Sequence, residues 1–154
     1  MFNVGVISDT HGFLRPEAIA VLRGSDYILH AGDIGSPEIL DELRTIAPVT
    51  AIRGNIDIES WATKISVTDM LELGGKFFYL IHDRAALDLK PKAAGIAAVI
   101  FGHTHQPLIE TRDGILYFNP GSAGPRRFKL PISVGRIQID DKGALHPELI
   151  PLLA

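Results

Sequence analysis

Apolar and polar positions follow two periods along this chain. In the first third, short β-branched runs at 2–8 (FNVGVIS), 27–32 (YILHAG) and 49–54 (VTAIRG) read as buried strands. Between them, 14–23 (LRPEAIAVLR) places Pro16 in a first helical turn and Ile19 and Leu22 on one face. The stretch 36–47 (SPEILDELRTIA) has helix-start chemistry, with Ser36 as N-cap, Pro37 in the first turn and Glu38 near the positive end. Strands alternating with helices predict a parallel sheet built by βαβ crossovers.

The second half changes rhythm. Residues 65–82 read as strand, turn at Gly74–Gly75 and strand, and 97–102 (AAVIFG) as another buried strand. Hairpins are expected around Asp113–Gly114 and around Asp141–Lys142–Gly143, and a weaker helix over 84–95, interrupted by Pro91. The expectation is an α/β fold, with two packed sheets covered by helices in one domain over 1–154.

Composition narrows the class. The chain is 46% hydrophobic and 21% charged, an ordinary soluble globular balance. A formal charge of −3 argues against a broad nucleic-acid footprint, leaving room only for a local basic patch. With no cysteine there is no disulfide and no thiolate zinc site, so any metal must be held by nitrogen and oxygen. The apolar runs are too short to span a membrane, and MFNVGVISD lacks the basic flank of a signal peptide, so a cytoplasmic protein is expected.

The chemistry gathers where the apolar runs end. Asp9 and His11 follow the first strand, Asp33 the second and Asn55 the third; His82 follows FFYLI, and His103 and His105 follow AAVIF. In an open α/β sheet such positions return to one carboxyl edge, where ligands bind. Two aspartates, one asparagine and four histidines are oxygen and nitrogen donors suited to Mn²⁺, Fe, Zn²⁺ or Ni²⁺. They are too many for one catalytic ion with an open position, and suit two ions bridged by a carboxylate, a pair that clamps phosphoryl oxygens. Glycines at 12, 32, 54, 102 and 121 suit the tight backbone turns of a crowded cluster. Asp-x-His and His-x-His each have one intervening residue, which in an extended segment puts both side chains on one face.

The ordered string DTH, GD, GN, His, GHTH, running from Asp9 to His105, resembles the calcineurin-like metallophosphoesterase superfamily. RGNID at 53–57 and NPGSAGPRR at 119–127 look like its small YfcE-like phosphodiesterase branch. The resemblance implies a four-layer α/β/β/α sandwich of two mixed sheets flanked by helices, with a dinuclear site at the strand C-terminal ends. It implies that Asp9, His11 and His105 hold one ion, that Asp33 bridges, and that Asn55, His82 and His103 hold the other. It further implies two divalent ions, with Mn²⁺ first and Zn²⁺, Fe or Ni²⁺ as alternatives, and hydrolysis of a small phosphodiester by a metal-bridging hydroxide. Asp33, Asn55 and His103 are then the catalytic candidates, and Asn55 and Arg126 the substrate contacts. A phosphomonoesterase, a nuclease, or a non-catalytic interaction scaffold on the same fold are the alternatives. A homo-oligomer is left open.

Two positions depart from that pattern. Ile56 stands where many of these enzymes carry a leaving-group histidine; Asp57 replaces it only if it enters the crevice with a raised pKa. Asp83 stands where glycine usually follows the His82 position, and is expected at the surface or against an imidazole. His30 is expected to be buried and hydrogen-bonded, His146 to be at the surface, and Trp61 to pack. Asn119 and Ser122 are expected to brace the metal loop. Arg53 and Arg127 are expected to be solvated or salt-bridged.

Overall fold

A computed structural model describes residues 1–153. The first sheet has the order β10-β9-β1-β2-β3 and the second β4-β5-β6-β8-β7. In the first, β1 (Phe2–Ile7), β2 (Tyr27–His30) and β3 (Val49–Ala51) run parallel, while β9 (Ser133–Ile139) and β10 (Leu145–Pro151) add on as an antiparallel hairpin. In the second, β5 (Lys76–Ile81), β6 (Ile96–Ile100) and β8 (Ile115–Asn119) are parallel, flanked by antiparallel β4 (Thr68–Leu73) and β7 (Leu108–Arg112). Both sheets are mixed, as expected.

Strand alternation builds the layers. Val4 and Val6 of β1 face inward with Leu29 and Ile52, against Phe78, Leu80, Ala98, Ile100, Leu116 and Phe118 of the second sheet. Ile7 and Ile28 face the other way and pack against Ala18 and Leu22 of α1 (Pro16–Leu22) and Ile39, Leu40 and Leu43 of α2 (Pro37–Arg44). Trp61 packs on this outer cluster, as expected. Ser36 occupies the N-cap of α2, but its hydroxyl makes no capping bond; Pro37 and Glu38 in the first turn carry the start signal.

The expected helix over 84–95 does not form. A single 3₁₀ turn spans Arg84–Ala86, started by Asp83 Oδ1 accepting the Ala85 N–H at 3.0 Å, and the chain then continues through turns. Leu87 and Leu89 both pack against the outer face of the second sheet, on Tyr79, Ile81, Val99 and Tyr117. Their spacing of two is not a helical period, and Pro91 lacks the N–H a helix would need. The outer cover of this sheet is thus a draped loop, with the Arg84 guanidinium 4.6 Å from the Tyr117 ring centroid and paired to Glu110 at 3.0 Å.

The hairpin turns fall where glycine allows them. Gly74–Gly75 and Asp113–Gly114 all have positive φ, the signature of two-residue turns that match strand twist.

Candidate metal centre

The carboxyl ends of the parallel strands from both sheets meet at one edge. Beyond the paired part of β1 and β2, their loops stay laddered: Asp9 N–H to Gly32 O (3.0 Å), His11 N–H to Asp33 O (3.0 Å) and Gly12 N–H to Ile34 O (2.8 Å). The second sheet is tied on by Ala123 N–H to Ser8 O at 3.0 Å, and Gly102 N–H to His82 O links its own strand ends at 3.0 Å. These bonds fix the loops before any side chain is considered.

Five of the seven expected ligands sit in left-handed backbone: Asp9 (φ 56°), His11 (49°), Asp33 (54°), His103 (72°) and His105 (63°). Such conformations are strained for residues other than glycine and persist only where the surroundings impose them. This corrects the extended-segment reading of His-x-His and Asp-x-His. In GHTH the loop curls, leaving His105 2% exposed and the His103 side chain 42% exposed. The two histidines do not share one face.

Five side chains converge. Asp9 Oδ1 lies 3.4 Å from His105 Nε2 and 3.8 Å from both His11 Nε2 and His82 Nε2. Asp33 Oδ2 lies 3.2 Å from His82 Nε2 and 3.5 Å from His11 Nε2. Two compact groups result, Asp9–His11–His105 and Asp9–Asp33–His82, sharing Asp9. The expected bridge, Asp33, also reaches both sides through Oδ2. His103 stands at the edge, its ring 5.2 Å from the His82 ring in a T-shaped contact and its Nε2 3.8 Å from Asp83 Oδ2. Asn55 is exposed. With Arg53, Thr68, Tyr79 and His82, these two line a cleft of about 520 Å³ that opens beside the second group.

The donor atoms are kept free for a cation. Asp9 Oδ2 accepts the Ser8 hydroxyl (2.8 Å) and the His103 N–H (3.2 Å), whereas the buried Oδ1 has no hydrogen-bond donor. His82 Nδ1 donates to the Ala31 carbonyl at 2.7 Å, leaving the buried Nε2 without a partner. His11 Nε2 and both ring nitrogens of His105 are likewise buried and unpartnered. Orphaned buried polar atoms are rare, and here they face one another. Burial works against the Asp9 carboxylate, but His105, His11, His82 and the Ser8 hydroxyl prevail and hold it well below the usual carboxylate range. Burial likewise opposes the Asp33 charge, yet His82 and the Ile56 N–H lower its pKa. For His82, burial is outweighed by Asp33, the Ala31 carbonyl and Asp9, so its pKa is raised. Strengthened acids around a more basic imidazole mark a place short of positive charge. Carboxylate oxygens and imidazole nitrogens in this number fit divalent transition ions.

Supporting residues complete the frame. The Gly32 N–H donates to His30 Nδ1 at 3.1 Å, so Nε2 carries the proton and gives it to Thr10 Oγ1 at 3.0 Å; the Thr10 hydroxyl then donates to the Ile34 carbonyl at 2.7 Å. This directional relay joins the Asp9 and Asp33 loops. Burial, only partly offset by Asp9 and Asp57, lowers the His30 pKa to about 4. Asn119 donates to the Gly102 carbonyl (3.1 Å) and Thr104 Oγ1 (3.2 Å) and accepts the Gly121 N–H (2.9 Å), bracing GHTH as expected. Ser122 Oγ sits 3.2 Å from the Asp9 carbonyl. A Cβ at Gly102 would meet Asp9 Oδ2 at 2.6 Å, and one at Gly54 would collide with Asp33 Oδ1, so both positions admit only glycine for reasons of close approach.

Asp57 does not meet the condition for replacing the leaving-group histidine. Its carboxylate is buried and accepts the backbone N–H groups of Ile34 (3.0 Å), Gly35 (3.0 Å) and Gly54 (2.9 Å). It pins the Asp33 loop to the Asn55 loop instead of entering the crevice as an acid. The signal in the sequence was the GNID turn itself, since aspartate accepts backbone amides readily at such turns. His146 is at the surface, paired with Asp140 at 2.8 Å. Arg126 and Arg127 lie in an exposed loop.

Comparison with known proteins supports the same reading. Residues 2–142 match the family model described as a calcineurin-like phosphoesterase superfamily domain. A probable metallophosphoesterase of Methanothermobacter thermautotrophicus is 38% identical, over 96% of this chain and 91% of its own length. A probable metallophosphoesterase of Methanocaldococcus jannaschii is 37% identical, over 97% of this chain and 81% of its own. Among solved structures, a novel archaeal phosphodiesterase superposes with a TM-score of 0.80 at 24% identity, covering 97% of this chain and 100% of that one. The zinc complex of Vps29 from Entamoeba histolytica superposes with a TM-score of 0.77 at 23% identity, over 99% and 100%. At these identities the structural likenesses establish the fold.

Proposed function

The chain belongs to the calcineurin-like phosphoesterase superfamily, and on that premise we propose that it is a dinuclear metal-dependent phosphodiesterase acting in the cytoplasm. The observation that carries this reading is the convergence of Asp9, His11, Asp33, His82 and His105 with their donor atoms buried and unpartnered. In this reading Asp9, His11 and His105 would hold one ion, Asn55, His82 and His103 a second, and Asp33 would serve both. Divalent ions held there, Mn²⁺ first, would supply Lewis-acid chemistry, acidifying water and neutralising charge on phosphoryl oxygens.

The chain's own residues do the rest. The Gly32–Ile34 and Asp9–Gly12 ladder holds both aspartates still, so little reorganisation remains for the moment of reaction. The Ala31 carbonyl fixes which His82 nitrogen faces the carboxylates. The half-exposed side of the centre, at Asn55 and His103, is where a phosphoester can enter; Asn55 and Arg126 are assigned its oxygens. Ile56 carries no proton and Asp57 is consumed by backbone amides, so no side chain of this turn protonates the leaving group. That favours diesters with good leaving groups.

The test is metal analysis joined to a substrate panel. The protein is stripped with chelator, reloaded with Mn²⁺, Zn²⁺, Fe²⁺ or Ni²⁺, and offered an aryl phosphodiester, the matching monoester, a cyclic nucleotide and single-stranded DNA. The expected result is about two ions per chain and metal-restored turnover, fastest on the diester. Full activity in the stripped protein would sink the mechanism. A preference for monoester or DNA would move the chain to another branch of the same chemistry.

A further inference from the structure

The cleft beside Asn55 and His103 contains a charge that the metal centre does not use. Arg53 lines it, and among the described residues lining it this is the one permanently cationic side chain; the others include Asp83, Asp88, Thr68, Tyr79 and the two histidines. Arg53 was expected to be solvated or salt-bridged. It is half-buried, with its Nε buried and without a hydrogen-bond partner among the described residues, and it forms no ion pair with them. The root of the side chain is fixed, because the Arg53 N–H donates to Ser66 O at 3.0 Å where the chain approaches β4. Just beyond it, Gly54 and the Ile56 N–H pass directly beside Asp33. A half-buried guanidinium lining the wall, with its Nε unpartnered, next to the place where a phosphoester would sit, is short of an anion.

We propose that Arg53, a residue outside the expected set, is the anion-binding group of this cleft, and that it grips a non-bridging oxygen of the substrate phosphate across from His103. The proposal rests on the phosphodiesterase reading for its substrate, but the site itself is defined by the phosphate group alone. Arg53 acts by binding and orienting: its planar fork fixes the phosphoryl group against the metal-facing side of the cleft, which a point charge does less well. It explains how a small chain with a net charge of −3 can hold an anionic ester in a cleft that also contains two aspartates.

The test uses Arg53→Gln and Arg53→Lys in the Mn²⁺-loaded protein, with metal content and melting temperature measured on each. Calorimetric titration with inorganic phosphate is expected to show binding weakened by about 10- to 100-fold in Arg53→Gln, with Arg53→Lys between it and the parent. On bis(p-nitrophenyl) phosphate, KM should rise by a similar factor while kcat changes less. Phosphate affinity within about 2-fold of the parent in Arg53→Gln would overturn the proposal. So would loss of metal in step with loss of phosphate, which would make the residue a structural support of the centre. If Arg53→Gln does not fold, Arg53→Lys decides, since parental phosphate affinity and KM there contradict a fork-specific grip. If the parent binds phosphate through Arg53 and yet hydrolyses no phosphoester, the anion site stands and the phosphodiesterase reading falls.

Discussion

The two walls of the centre are built differently. The deep wall, made of Asp9, His11, Asp33 and His105, follows β1 and β2 and the curl of GHTH; it is laddered by backbone bonds and closed over by Ser8, Thr10, His30, Asn119 and Ser122. The open wall, made of Arg53, Asn55, Asp83 and His103, follows β3, β5 and the first turn of the same GHTH loop, and borders the cleft. The deep wall holds its geometry with backbone strain and buried charge, and the open wall leaves polar groups in reach of solvent. A site that must keep cations in and let an ester in and out needs both, and this chain assigns the tasks to opposite sides.

Breaking the deep wall should have the largest effect. Asp33→Ala removes the carboxylate between His11 and His82, leaving two imidazoles facing a void. Turnover on the diester is expected to fall by about 10³-fold or more, the scale of losing several kcal/mol of charge stabilisation. Metal content should fall with it, while circular dichroism stays that of the parent. Steady-state kinetics and elemental analysis check this; a fully active Asp33→Ala protein would contradict the assignment.

Next in size is the tie between the walls. Asp57→Ala leaves the buried N–H of Ile34 and the part-buried N–H groups of Gly35 and Gly54 without their acceptor. Each unsatisfied group costs on the order of 1–3 kcal/mol, partly relieved by entering water, so a loss of about 3 kcal/mol is expected in urea unfolding. Activity should fall as well, because the Asn55 loop is no longer registered against Asp33. An unchanged unfolding midpoint would show that the walls are held together by something other than Asp57.

The smallest effect is confined to the deep wall and appears as pH dependence in the metal-free protein. His30 is neutral in the folded state, with its pKa lowered to about 4 by burial, and regains an ordinary value near 6.5 on unfolding. Its contribution is present above the unfolded pKa and is lost as pH falls from about 6.5 toward 4; the linkage amounts to about 2 kcal/mol between pH 7.5 and pH 5. His82 acts in the opposite sense and elsewhere: its raised pKa gives stability that is present below 6.5 and lost as pH rises through the folded value. Asp9 and Asp33, both lowered, lose their contribution only below the carboxylate range. Denaturant unfolding at pH 7.5 and pH 5 should therefore show that His30→Gln loses less stability on acidification than the parent, by about 2 kcal/mol, whatever His82 adds to both. An equal slope in parent and variant would remove His30 from the relay.

Much of this was readable in the chain. Period-two alternation of Val4/Val6 against Ile7, and of Phe78/Leu80 against Tyr79/Ile81, announced strands covered on both faces, and Gly74–Gly75 and Asp113–Gly114 announced their turns. The ligand set was legible because its members sit at strand ends, where residue type and spacing are themselves the signal. The segment 84–95 misled, since small and apolar residues suit a helix until Pro91 and the spacing of Leu87 and Leu89 are weighed against the sheet face they cover.

The chain by itself thus determined the fold class, the edge at which chemistry gathers and the donors available there, because periodicity and strand-end position are local properties of the sequence. Tertiary structure alone decided how those donors are used. Left-handed backbone, imposed by ladders between distant loops, turned His103 outward and His105 inward, although one residue separates them. Burial set the protonation tendency of His30, neighbouring charges and hydrogen bonds overrode burial at His82, Asp9 and Asp33, and backbone amides from two loops made Asp57 a tie instead of an acid. Arg53, two residues before Asn55 in the chain, became a cleft-lining cation without an ion pair among the described residues only once the segments around β3, β4 and β5 came together. Each of these depends on which groups arrive from elsewhere in the chain, and no local pattern records that.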